Sequence, residues 1–81
     1  MKSEDIAAVI RARLPSAEAR VSSADDTHFE AVVIAREFGG KRPLERHRLV
    51  YDALGGRVGR EIHALSIETY TPEEWAARQA G

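Results

Sequence analysis

The chain contains no cysteine, which excludes disulfides, thiolate metal sites built by this chain alone and cysteine nucleophiles in one step. Aromatic residues make up only 6%, with one Trp, two Tyr and two Phe. No stretch approaches the roughly 18 apolar residues of a membrane span, and the start MKSEDIAAVI has neither a long apolar core nor a small-residue cleavage site. The expectation is a cytoplasmic protein with no membrane contact. A charge excess is missing too: 12 Lys and Arg stand against 13 Asp and Glu, a formal net of −1, so the bulk balance does not call for a polyanion. What is present is an 81-residue chain with 43% hydrophobic and 31% charged residues. That mixture is globular, and its length gives room for one domain, 1–81, without a second core.

Ile6, Val9, Ile10 and Leu14 recur at helical spacing after Ser3, an expected N-cap, with Glu4 and Asp5 where the helix dipole favours anions. Pro15 closes this first helix. Alternation over Ala17 to Ser22 reads as a half-exposed edge strand, and HFEAVVIA from His28 to Ala35 as a central one. The polar run between them makes an antiparallel hairpin. Pro43 suits the first turn of a helix with Leu44, His47, Tyr51 and Leu54 along one stripe, weakened by Gly55 and Gly56 and ended by Gly59. EIHALSIETY then alternates as a third strand that includes His63. Thr71 with Glu74 fits a capping box, Pro72 takes the first helical position, and Tyr70 can staple against Trp75, so a short C-terminal helix begins there. The order αββαβα is α+β. It predicts a three-stranded mixed sheet, with the second and third strands parallel through the helical crossover and helices on one face.

Parallel strands start at the same end of a sheet, so His28 and His63 meet beside the turn Asp25 to Thr27. Neighbouring strands are about 4.8 Å apart, and two imidazoles there suit an iron or zinc ion whose other ligands come from elsewhere. Asp25 and Asp26 are candidate oxygen ligands. The competing reading of His28 is a polar residue at a strand end. For His47 the alternatives are a partly buried, hydrogen-bonded histidine and, with Arg46 and Arg48 beside it, a group that orients a partner surface. From Lys41 to Arg60 six basic residues (Lys41, Arg42, Arg46, Arg48, Arg57 and Arg60) face two acidic ones, a local net of +4 that leaves −5 for the rest. This is a footprint for an anionic partner or simply a solvated helix face. No Gly-x-Ser-x-Gly elbow, Walker spacing or placed nucleophile occurs, and an enzyme finds little support.

The run FGGKRPLERHRLVYDAL, followed by REIHALSIETYTPEEW and preceded by DDTHFEAVV, resembles the BolA family in its F-x-G-K, R-H-R-x-V-Y and I-H-A-L segments and its T-P-x-x-W ending. The resemblance extends from Val21 to Trp75. It implies a fold similar to class II KH domains and a non-enzymatic partner of monothiol glutaredoxins, monomeric when apo. Such a pair shares a two-iron two-sulfur (2Fe-2S) cluster, with glutathione and the glutaredoxin supplying thiolates, in iron-sulfur assembly or iron regulation. Some bacterial members are also DNA-binding regulators linked to stress and cell shape, and for that role the basic segment Lys41 to Arg60 is the candidate surface. The family's I-H-A-L histidine is a cluster ligand and maps onto His63. Its second ligand is a Cys or His in the loop between the first two strands, but here that loop is short, holds Asp25 and Asp26, and leaves His28 as the nearest substitute.

Overall fold

The computed structural model describes residues 1–80. Helix α1 spans Ser3–Arg13, strands β1 and β2 span Glu18–Ser22 and His28–Ile34, helix α2 spans Pro43–Leu54, strand β3 spans Ala64–Tyr70, and helix α3 spans Pro72–Ala80. Short 3-10 turns cover Arg36–Phe38 and Gly55–Arg57. The sheet order is β1-β2-β3, with β1 antiparallel to β2 and β2 parallel to β3. No helix among the described residues is long and apolar enough to cross a membrane.

Period-2 alternation on β2 turns Phe29, Ala31 and Val33 into the core, where Ile6 and Ile10 of α1, Leu14 just after it, and Val50 and Leu54 of α2 meet them. Phe38 and Ile62, both fully buried, close the two ends of the crossover. Burial of side chains this size stabilises by roughly 1.5–3 kcal/mol each, so these two residues fix where the crossover leaves and rejoins the sheet. α1 and α2 cover one face. The other face carries Arg20, Glu30, Ser66 and Glu68, all exposed.

Several boundaries depart from the sequence reading. The N-cap of α1 is Lys2 rather than Ser3, because the Asp5 carboxylate reaches back to accept the Lys2 N–H at 3.0 Å. The α2 stripe also turns differently from the expected one. Leu44 is 63% exposed and Tyr51 39%, while Val50, Ala53 and Leu54 are the buried residues of the helix. α2 ends at Leu54, well before Gly59, since Gly55 combines a φ of 61° with a ψ of −133°, a pair that glycine adopts without strain and residues with a Cβ do not.

His63 lies just before β3 instead of within it. Ile62 is fully buried although Ala64, two residues on, is exposed, so the chain bends at His63 and the strand alternation cannot be extended back through it. At the far end the Thr71 hydroxyl accepts the Glu74 N–H at 3.2 Å and the Glu74 carboxylate accepts the Thr71 N–H at 2.9 Å. That capping box starts α3 as expected. Trp75 then packs against Tyr70 with ring centroids 5.2 Å apart and planes tilted by 57°, and its ring lies 5.2 Å from the Arg20 guanidinium. Both partners belong to the uncovered face, so α3 brings one indole against it at the strand ends.

Candidate functional site

The turn between β1 and β2 is organised by one carboxylate. Asp25 Oδ1 accepts the N–H of Thr27 at 3.0 Å and the N–H of His28 at 2.9 Å. Aspartate is suited to this because its short side chain can satisfy backbone donors two and three residues on. Asp26 takes the left-handed corner of the turn, with φ 58°. Its role is conformational. The hydrogen bonds from the His28 N–H, the His28 ring and the Thr27 N–H hold the Asp25 carboxyl well below the usual carboxylate range.

The other oxygen of Asp25, Oδ2, lies 2.8 Å from Nδ1 of His28. Thr27 Oγ1 is 3.3 Å from the same nitrogen. Across the strands, the Thr27 carbonyl accepts the N–H groups of both His63 and Ala64, at 2.9 and 3.2 Å, so the turn before β2 also fixes the start of β3. The two imidazoles end up with ring centroids 5.4 Å apart and planes at 79°. Both side chains are exposed. Beside them runs an open groove of about 650 Å³ whose lining includes Ser22, Asp25, His28, Glu30, Ala64 and Ser66.

Of the two candidate oxygen ligands, Asp25 has both carboxylate oxygens engaged, by the turn and by His28, while Asp26 occupies the corner of the turn. Among the described residues no three His, Asp or Glu side chains are grouped to hold a metal ion. The arrangement is thus two imidazoles with one held by a carboxylate, too few donors by themselves to close a coordination sphere. The roles of Asp25 and of the Thr27 carbonyl were missed in the sequence, although an aspartate three residues before a strand is the pattern that could have flagged them.

The basic segment separates into free and committed cations. Arg46 donates to both carboxylate oxygens of Glu74, at 2.6 and 3.2 Å, donates from Nε to the Lys41 carbonyl at 2.9 Å, and lies over the Phe38 ring. Its side chain is only 12% exposed. Arg57 donates to the Leu54 carbonyl and helps end α2. Lys41, Arg42, Arg48 and Arg60 are exposed. His47 is half-buried on α2, and among the described residues its ring has no hydrogen-bond partner, unlike the bonded histidine expected there.

The model of the family described as BolA-like protein matches residues 7–74. The chain is 44% identical over 55 residues to the DNA-binding transcriptional regulator BolA of Vibrio cholerae, covering 68% of this chain and 52% of that protein. It is 40% identical over 67 residues to BolA-like protein 1 of Homo sapiens, covering 83% and 49%. The chain therefore spans about half the length of these curated relatives. Among solved structures, a BolA protein homologue from Coxiella burnetii superimposes with a TM-score of 0.84 at 43% identity, covering 94% of this chain and 97% of that one.

Proposed function

The chain belongs to the BolA-like protein family, and from that premise we propose that it is a non-enzymatic adaptor that binds a monothiol glutaredoxin and shares a 2Fe-2S cluster with it. Its task is cluster assembly, trafficking or iron regulation. The observation that carries this reading is the pair His28 and His63, exposed, adjacent and held at one end of the sheet with ring centroids 5.4 Å apart. As a donor set the pair fits one iron of such a cluster: imidazole is a good iron ligand, and two imidazoles in place of two thiolates raise a cluster's reduction potential. A chain without cysteine has to take its thiolates from the partner and from glutathione. His63 is the first ligand of this reading and His28 the second.

The test is to mix the protein with a monothiol glutaredoxin, iron, sulfide and glutathione, and to record visible absorption and co-elution. A coloured heterodimer with a spectrum distinct from that of the glutaredoxin alone is expected. Co-elution without such a spectrum, or no complex at all, overturns the assignment.

A second reading, a DNA-binding regulator, is favoured by the exposed cations Lys41, Arg42, Arg48 and Arg60 and by the name carried by the Vibrio cholerae relative. It ranks lower because Arg46 and Arg57, two of the six basic side chains of the segment, are already used inside the fold.

A further inference from the structure

A histidine offers a metal only the nitrogen that does not carry the proton, and which nitrogen that is depends on the hydrogen bond the other one makes. An aspartate is ionised near neutral pH and accepts only, so the contact between Asp25 Oδ2 and Nδ1 of His28 at 2.8 Å requires the ring nitrogen to be the donor. The second neighbour of that nitrogen, Thr27 Oγ1 at 3.3 Å, is more distant and uncharged, and the proton goes to the carboxylate. Nε2 is left with its lone pair. Asp25 Oδ1 meanwhile holds the N–H groups of Thr27 and His28, and the Thr27 carbonyl holds the N–H of His63. One carboxylate is thus connected to both imidazoles, to one ring directly and to the other through the backbone.

We infer that Asp25 is the positioning residue of this site: it fixes His28 in the Nδ1–H form with Nε2 available to a metal, and ties the turn against the segment that carries His63. This rests on the reading of the two histidines as cluster ligands, which it deepens by explaining how a short, cysteine-free turn can supply a second ligand from the first residue of β2. Asp25 itself does not bind the metal.

The experiment separates the two levels. In the isolated apo protein above the titration range of imidazole, long-range proton–nitrogen correlation spectra report the tautomer of each histidine. His28 is expected in the Nδ1–H form, and in Asp25→Asn, whose amide oxygen can still cap the turn, it is expected to move toward the Nε2–H form with the backbone amide shifts of β2 retained. An Nε2–H form of His28 in the unmodified protein overturns the inference whether or not the variant folds. In the glutaredoxin complex, Asp25→Asn is expected to shorten cluster lifetime by about 10-fold or more, the usual effect of removing an orienting partner. An unchanged lifetime alongside an altered tautomer removes His28 from the ligand set and overturns the inference. If no cluster forms even with the parent protein, it is the adaptor reading that fails, and the tautomer spectra still decide whether Asp25 orients the ring.

Discussion

The carbonyl oxygen of Thr27 accepts the backbone N–H of His63 at 2.9 Å, so the residue just before His28 holds the residue just before β3. Parallel pairing of β2 with β3 puts His28 opposite Ala64, and this bond extends the pairing by one residue. His63 is thus anchored through its backbone while its side chain stays exposed, outside the core. Function and stability can therefore be separated at this position.

His63→Ala is expected to leave thermal stability nearly unchanged, within about 0.5 kcal/mol, as for exposed side chains without special roles. In the glutaredoxin complex it is expected to damage the cluster more than His28→Ala or His47→Ala. The reduction in cluster lifetime should exceed the roughly 10–100-fold cost typical of an outer-shell change. Thermal denaturation and the decay of visible absorption measure the two effects. An unchanged spectrum and lifetime would remove His63 from the ligand set.

Ile62 behaves in the opposite way. It is fully buried, and its N–H donates to the Arg57 carbonyl at 3.0 Å while its own carbonyl accepts the Gly59 N–H at 2.7 Å. Ile62→Ala is expected to cost about 2–5 kcal/mol, and Ile62→Val about 0.5–1.5 kcal/mol. Denaturant unfolding of the two variants gives these values. If the alanine variant were destabilised less than the valine variant, the anchoring of the loop before His63 would be misassigned.

The parts of the fold legible in the sequence were those with local causes. Thr71, Pro72 and Glu74 announce α3 through capping chemistry, and the apolar run from Phe29 to Ala35 announces a central strand. The imidazole pair was legible because it follows from topology: a crossover makes two strands parallel, and parallel strands share a starting end. Much of what stayed hidden depends on contacts distant in sequence. Nothing near Arg46 shows that Glu74, 28 positions away, takes its charge, and the bend at His63 arises because Ile62 is drawn into the core against the strand alternation. The exposure of Leu44 and Tyr51 belongs to the same class, since an apolar stripe reads as core until the packing of α2 keeps Leu54 of that stripe and buries Val50 and Ala53 beside it.

The Arg46 and Glu74 pair predicts a contrast between neighbouring arginines. Arg46→Ala removes two bonds to Glu74, one to the Lys41 carbonyl and the packing over Phe38. Glu74 is 46% exposed, so solvent weakens the pair, and a total cost of about 1–2 kcal/mol is expected. That corresponds to a fall in Tm of several degrees, at about 4–8 °C per kcal/mol for a domain this small. Arg48→Ala is expected to stay within about 0.5 kcal/mol. Equal effects of the two substitutions in thermal denaturation would contradict the pairing.

The same pair sets a pH dependence. The Arg46 guanidinium, followed by the Thr71 N–H, pulls the Glu74 carboxyl from its ordinary value of 4.5 down to about 2. A carboxyl lower in the folded than in the unfolded state stabilises the fold above the unfolded value and loses that contribution as pH falls toward the folded one. The stability advantage of the parent over Glu74→Gln is therefore expected to be full above about pH 5 and to shrink between about pH 4.5 and 2. Denaturant midpoints of the two proteins across that range measure it, and a gap independent of pH would show that the glutamate acts without its charge.

The exposed cations decide between the two functional readings. If DNA is the physiological partner, neutralising Lys41, Arg42 and Arg48 together should weaken binding across sequences and flatten the salt dependence, by about 0.9 in the log–log slope for each phosphate that no longer meets a cation. Arg46 is left intact in this design, because its removal would disturb the fold. If the partner is a glutaredoxin, the same charges lie at the rim of the complex, where they steer encounter. The triple variant then associates more slowly at low salt while complex lifetime, held by the cluster, changes little. The second behaviour is expected, with DNA affinity in the non-specific range near roughly 10⁻⁵ M at physiological salt. Stopped-flow association with the glutaredoxin and a DNA titration over several salt concentrations measure both arms. Nanomolar, sequence-selective DNA binding at physiological salt would reverse the ranking, because phosphate contacts alone cannot discriminate sequences and the protein would have to read base edges as well.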